Sequence, residues 1–195
     1  LINGDHPQSY VNNICVFGFR KGEGETIWEI KRNLGFVSNA LHWDHRVSVS
    51  AKNVIVSGFF DTIGLYSNTS DLHYKLAYSW LALLALENES ARRFTELSFG
   101  QQRLILICRA MVKHPPLLLL DEPFSALGPN QKSELIHLVD NLSKEQDITV
   151  LLITHDPKDA QQIAGHCLVL KDQSVLGPFE TSVALDEDGP LKGYL

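Results

Sequence analysis

The sequence predicts an α/β fold: a mostly parallel sheet interrupted by an all-helical insert. Three observations carry this. Residues 117–120 and 148–154 are short runs of almost purely apolar character, the pattern of strands covered on both faces. From residue 101 onward, helical patterns alternate with those runs, which is how a parallel sheet is connected. Between residues 48 and 86, apolar residues recur at spacings of three and four, with no strand-like alternation.

Taken in order, the chain opens on "LIN" followed by Gly4, which reads as the last turn of a helix and its glycine stop. The chain is therefore expected to begin inside an element and to be part of a longer protein. Residues 11–17 predict a short strand, followed by a loop with Gly18, Gly22 and Gly24. "GEGE" in that loop is a surface turn, because two glutamates repel a phosphate and no Lys-Ser/Thr follows. "TIWEIKRNLGFVS" gives a short helix and then a strand near 34–37.

The insert holds two helical patterns. The second places Leu72, Leu76, Trp80, Leu83 and Leu84 on one apolar face. A helix over about 101–113 must stop at His114-Pro115-Pro116. Strand 117–120 follows. A helix over 130–143 then puts Leu135, Ile136, Leu138, Val139 and Leu142 on one side. Strand 148–154, a short helix over 157–163 and a hairpin in "CLVLKDQSVLG" complete the chain.

Composition bounds the function. The chain has 195 residues, 44% hydrophobic and 21% charged, as in ordinary globular domains. Its formal net charge of −6 argues against a nucleic-acid partner, which needs a basic footprint. Cys15, Cys108 and Cys167 share no metal-like spacing, which fits reduced thiols in a cytoplasmic protein.

Ligands of open parallel sheets sit beyond the carboxyl ends of the strands. Asp121 and Glu122 end one strand, His155 ends another, and Asn39 follows a third. A carboxylate pair there suits one group on a magnesium shell and one that polarises water. A histidine on the same edge could bond a γ-phosphate. The plainer reading is that strand ends are polar because the sheet stops, with "THD" merely capping a helix ahead of Pro157. "LSFGQQR" adds a Ser-capped helix start whose amides and dipole favour an anion, with Gly100 allowing close approach. Alone, that too is an ordinary capped helix.

The order "LSFGQQR", "LLLLDEP", "SALGP", "ITVLLITHD" resembles the nucleotide-binding domains of the ATP-binding cassette (ABC) family, over nearly the whole chain. The resemblance implies a P-loop NTPase-like core with an ABC-type helical subdomain: core in 1–40, subdomain in 41–95 and core again in 96–195. It implies ATP and Mg2+ as ligands. Ser98, Phe99, Gly100 and Gln101 would be the signature that faces ATP held on a second cassette, on the same polypeptide or a head-to-tail copy. Phe99 there stands in place of a glycine and adds bulk beside the phosphate. Asp121 would support magnesium, Glu122 would be the general base, and His155 the switch histidine. Asn39 would stand for the family's glutamine near magnesium, as a shorter amide.

The pattern departs from the family at Gly128, where "SALD" reads "SALG", and in having no G-x-x-x-x-G-K-[ST] loop in these residues. The lost loop implies that the 195 residues alone hydrolyse ATP negligibly. "HWDHRVSVSAKNVIVSGFFDTIGLY" and "SFGQQRLILICRAMVKHP" also resemble tandem cytoplasmic cassettes of the molybdenum-transport-associated or photorepair kind. That implies an ATPase serving transport of a small oxyanion such as molybdate, cytoplasmic or peripheral at the inner face of the membrane beside membrane subunits. A soluble cassette acting on nucleic acid or ribosomes, and a non-catalytic or regulatory module, stand as the other readings.

Overall fold

A computed structural model describes residues 13–20, 27–44, 48–65, 68–145, 148–171, 174–186 and 189. The predicted helix end at Gly4 and the "GEGE" turn lie outside these residues.

The short strands β1 (Cys15–Val16) and β2 (Phe19–Arg20) form a hairpin turned by Phe17 and Gly18, both at positive φ. Helix α1 (Ile27–Arg32) leads into β3 (Leu34–Val37), as the sequence predicts. β3 pairs in parallel with β4 (Leu117–Asp121), and β4 with β5 (Thr149–Ile153). The order β3–β4–β5 puts the ends of all three strands, Val37, Asp121 and Ile153, along one edge.

Between β3 and β4 lie α2 (Asn39–Asp44), α3 (Ala51–Ser57), α4 (Asp71–Leu83) and α5 (Phe99–Met111). The helical block is fastened at its ends: Ala51 N–H donates to Arg92 O (2.9 Å) and Phe94 N–H to Val49 O (2.8 Å). α4 corrects the predicted apolar face. Leu72 and Leu83 are each 62% exposed, while Ala77, Trp80 and Leu81 are buried. α4 packs against α3 and α5, and its inward face is the one that carries these three residues.

α5 is the centre of the core. Ile105, Leu106, Ile107, Cys108 and Met111 are fully buried. Each such side chain contributes about 1.5–3 kcal/mol of burial free energy. The helix lies against β3 because Gly35 has no Cβ; one built there would meet Ala110 O at 3.0 Å. Arg109, buried on α5, and the half-buried Lys113 just after it tie the helix to the helical block. Arg109 donates to Ser57 Oγ (3.2 Å) and Thr62 O (3.1 Å), and Lys113 pairs with Asp61 at 2.6 Å.

Helix α6 (Pro129–Glu145) buries the predicted face: Leu135, Ile136, Leu138, Val139 and Leu142. α7 (Pro157–Ile163) precedes the antiparallel hairpin of β6 (His166–Lys171) and β7 (Ser174–Glu180), and α8 (Thr181–Ala184) follows. β5 departs from its prediction. Its apolar run reads as buried on both faces, yet Leu151 and Ile153 are 36% and 44% exposed. The run's hydrophobicity fixes a strand but does not by itself supply a cover for each face.

Candidate active site

The strand-end edge gathers three of the predicted residues. Asp121 closes β4. Glu122 follows at φ 49°, a left-handed backbone that is sparsely occupied by residues with a side chain. Its N–H donates to Ile153 O (2.9 Å), which holds the turn against β5. The turn brings the Glu122 carboxylate to Nδ1 of His155, 2.8 Å away. The His155 side chain is 83% exposed, so a ligand can reach the pair. The hydrogen bond and the charge of Glu122 raise the His155 pKa above its ordinary value.

His155 sits on a braced loop. Asp156 caps α7 by accepting from Lys158 N–H (3.0 Å), and its own N–H donates to Thr154 Oγ1 (3.1 Å). Thr154 Oγ1 donates to Asp159 (3.1 Å), and Lys132 of α6 bridges Asp159 and Asp156. The capping role foreseen as the plainer reading of "THD" is present, and it positions the histidine rather than excluding a function for it.

Asn39 lies at the start of α2, after β3. Its amide oxygen accepts from Nη2 of Arg103, its amide nitrogen donates to Ser125 Oγ (3.1 Å), and Ser125 Oγ donates to Glu122 O (3.0 Å). Arg103 is fully buried. It also donates to Ser38 O (3.2 Å); burial lowers its pKa and the nearby charge of Asp121 raises it.

Ser98 caps α5, and Phe99, Gly100 and Gln101 form its first turn. Ser98 Oγ accepts from Gln101 N–H (3.3 Å), while Ser98 N–H donates to the Gln101 side-chain oxygen (3.0 Å). This capping box ties Gln101 into the helix start, where the first amides lack intrahelical partners. Phe99 is the first residue of α5. Its ring stacks on His42 (centroids 4.4 Å apart) and lies 5.6 Å from the Arg103 guanidinium. Burial lowers the His42 pKa from its ordinary value. Gly100 is covered by Gln131 of α6; a Cβ on it would fall 2.7 Å from Gln131 Cδ. Gln131 in turn accepts from Gly128 N–H (3.3 Å), the reach-back half of a capping box whose other half Gly128 has no side chain to supply.

Sequence reasoning missed Arg103, His42, Gln131 and Lys132. A readable signal existed for Arg103: an arginine one turn into a helix whose next residues are all apolar. Nothing in the sequence marks the other three. A cavity of ≈490 Å3 beside Asp121 is also lined by Lys31, Arg109 and Lys113. Arg109 and Lys113 are engaged by Ser57, Thr62 and Asp61, so it is not an open anion site.

Comparison with known proteins follows the same lines. The chain is 47% identical to the ABC transporter ATP-binding protein ModF of Escherichia coli over 86% of its length, covering 34% of that protein. It is 39% identical to the thiamine import ATP-binding protein ThiQ of Ruegeria over 59% of its length and 50% of the relative. It is 32% identical to the molybdate import ATP-binding protein MolC of Haemophilus influenzae over 75% of its length and 57% of the relative. The chain thus spans about a third to just over half of these relatives. Among solved structures, the dimeric post-hydrolysis state of the ATP-binding cassette MJ0796 with ADP and Pi superposes with a TM-score of 0.67 at 25% identity, over 85% of this chain and 72% of that one. The family model for ABC transporter matches residues 8–125, more than half of the 195. The chain belongs to the ABC transporter family.

Proposed function

We propose that this chain is a catalytic part of an ATP-hydrolysing cassette whose signature helix serves the nucleotide of a second cassette. The observation that carries the reading is the 2.8 Å Glu122–His155 pair at the ends of neighbouring parallel strands. Glu122 accepts the proton of an attacking water. His155, held at Nδ1 by Glu122, faces solvent, and in its protonated form donates from Nε2 to the phosphate oxygen that becomes product. Ser98 and the first amides of α5 present donors to the phosphates held by the other cassette.

Among the described residues no group of three or more His, Cys, Asp or Glu is placed to hold a metal ion. A single strand-end carboxylate, Asp121, fits Mg2+, which keeps several waters and takes phosphate oxygens. When bound, Mg2+ neutralises charge on the transferring phosphate. Asn39 directs its oxygen to Arg103, so any part it plays in that shell runs through water.

The core in 1–40 and 96–195 carries this chemistry, and the helical subdomain in 41–95 offers a docking surface to membrane subunits at the cytoplasmic face. A small oxyanion such as molybdate is the cargo class, a reading supported by the similarity to MolC and weighed against the similarity to ThiQ. The test is ATP turnover of the full-length protein with Glu122→Gln. The variant should lose at least about 100-fold in kcat and retain bound ATP. Turnover at the wild-type rate would remove Glu122 from its role.

A further inference from the structure

We infer that Arg103 is a positioning residue that couples the start of the signature helix to the strand-end site through Asn39. This rests on the hydrolytic reading above and adds a residue to it.

Arg103 is a fully buried arginine in the second turn of α5, the helix that starts at the signature. A buried guanidinium is costly unless it is satisfied, so a neutral residue would be the simpler occupant. What it does touch is specific. One terminal nitrogen donates to Ser38 O, the other to Asn39 Oδ1. Its face lies over Phe99, itself stacked on His42 of α2. His42 Nε2 meets Gln102 Oε1 at 2.7 Å. α5 therefore grips α2 at its first residue, Asn39, and one turn later at His42.

From Asn39 the bonds run on without a break. Arg103 holds the amide oxygen, and the amide nitrogen donates to Ser125 Oγ at 3.1 Å, a hydroxyl that also lies 3.2 Å from the amide oxygen. Ser125 then donates to the carbonyl of Glu122, the residue at the strained turn that aims its carboxylate at His155. Each bond in such a chain polarises the next. The relay joins residues on α5, α2, the loop before α6 and the end of β4. A shift of the helix start on binding phosphate moves Arg103 with it, because α5 is one continuous helix. Asn39 and Ser125 then follow.

The variants Arg103→Met, Asn39→Ala and their combination, made in the full-length protein, test this. Arg103→Met is expected to lower kcat for ATP hydrolysis about 10- to 100-fold, the size of effect a small misplacement produces, with KM within about threefold. Asn39→Ala should cost a similar factor and the double variant no more than either, since both cut the same relay. Arg103→Met removes one partner and leaves Ser38 O and Asn39 Oδ1 without their donor, so its Tm should fall, and turnover and exchange are compared at a temperature where both proteins are fully folded. Backbone amide exchange at residues 38–41 should quicken in Arg103→Met, and ATP should no longer slow it as in the wild type. Unchanged kcat, multiplying losses, or exchange at 38–41 that still responds to ATP would each overturn the inference. Should Arg103→Met fail to fold, Arg103→Lys replaces it: an ammonium cannot reproduce the fork, and full activity in that variant would overturn the relay equally. Glu122→Gln separates the two levels. If it keeps turnover, the hydrolytic reading falls and the exchange result alone judges the relay. If it abolishes turnover while Arg103→Met does not, only the relay falls.

Discussion

Nδ1 of His155 lies 2.8 Å from a carboxylate oxygen of Glu122, across the gap between two parallel strands that are in register up to Asp121 and Ile153. The pair is pH-dependent in a definite direction. A histidine whose folded pKa is raised contributes stability that is fully present below its unfolded pKa and is lost as pH rises through the folded one. His155 should therefore titrate above its ordinary value, and the pair should open as pH rises past that point. Histidine chemical shifts followed by NMR check this. Glu122→Gln should bring the His155 pKa back down, since the bond and the charge of Glu122 are the leading causes of its shift. A His155 pKa that Glu122→Gln leaves in place would refute the pairing.

Gly100→Ala sets two effects against each other. Removing a helical glycine gains about 0.5–1 kcal/mol. The new methyl would displace Gln131 from its bond to Gly128 N–H, a loss of about 0.5–1.5 kcal/mol. The net change in unfolding free energy should stay within about 1 kcal/mol, while the Gly128 amide loses exchange protection. In a Gln131→Ala background the same substitution should stabilise. Chemical denaturation with amide exchange reads both.

Lys132→Met removes the cation that joins α6 to the loop carrying His155. Asp159 is nearly buried and would be left without its counter-charge. The loss should be about 1–2 kcal/mol, between a surface pair and a buried one. Glu122→Gln in the same background should show whether the loop has shifted: the two losses in kcat then combine less than multiplicatively. Additive free energies would place Lys132 outside the site.

Leu106→Ala opens a cavity at the centre of α5, where the side chain is wholly enclosed. It should cost about 2–5 kcal/mol. Thermal unfolding measures it, and a loss below about 1 kcal/mol would mean the site collapses around the missing atoms.

Much of the architecture was legible because it rests on local pattern. The strand 34–37, the helix 157–163 and the buried face of α6 follow from apolar spacing and from Pro157 and the Pro115-Pro116 stop. The faces of α4 and β5 were not legible. Both depend on what lies opposite, and spacing cannot tell Leu72, which faces out, from Leu81, which faces in. The candidate site divides in the same way. Asp121, Glu122 and His155 announce themselves as polar residues ending apolar runs. Arg103, His42 and Gln131 act across 64, 60 and 31 positions of sequence, on Asn39, Gln102 and Gly100 respectively, and no local pattern carries that information.

The nearness of Arg103 to Asp121 has a consequence for descent. A lineage that abandons hydrolysis and loses the Asp121 carboxylate leaves a guanidinium sealed in the core without the nearby charge that raises its pKa. Decay of activity is then penalised through folding, and a drifting copy is pressed to shed the arginine as well. Among degenerate cassettes of this type, the two losses should arrive together.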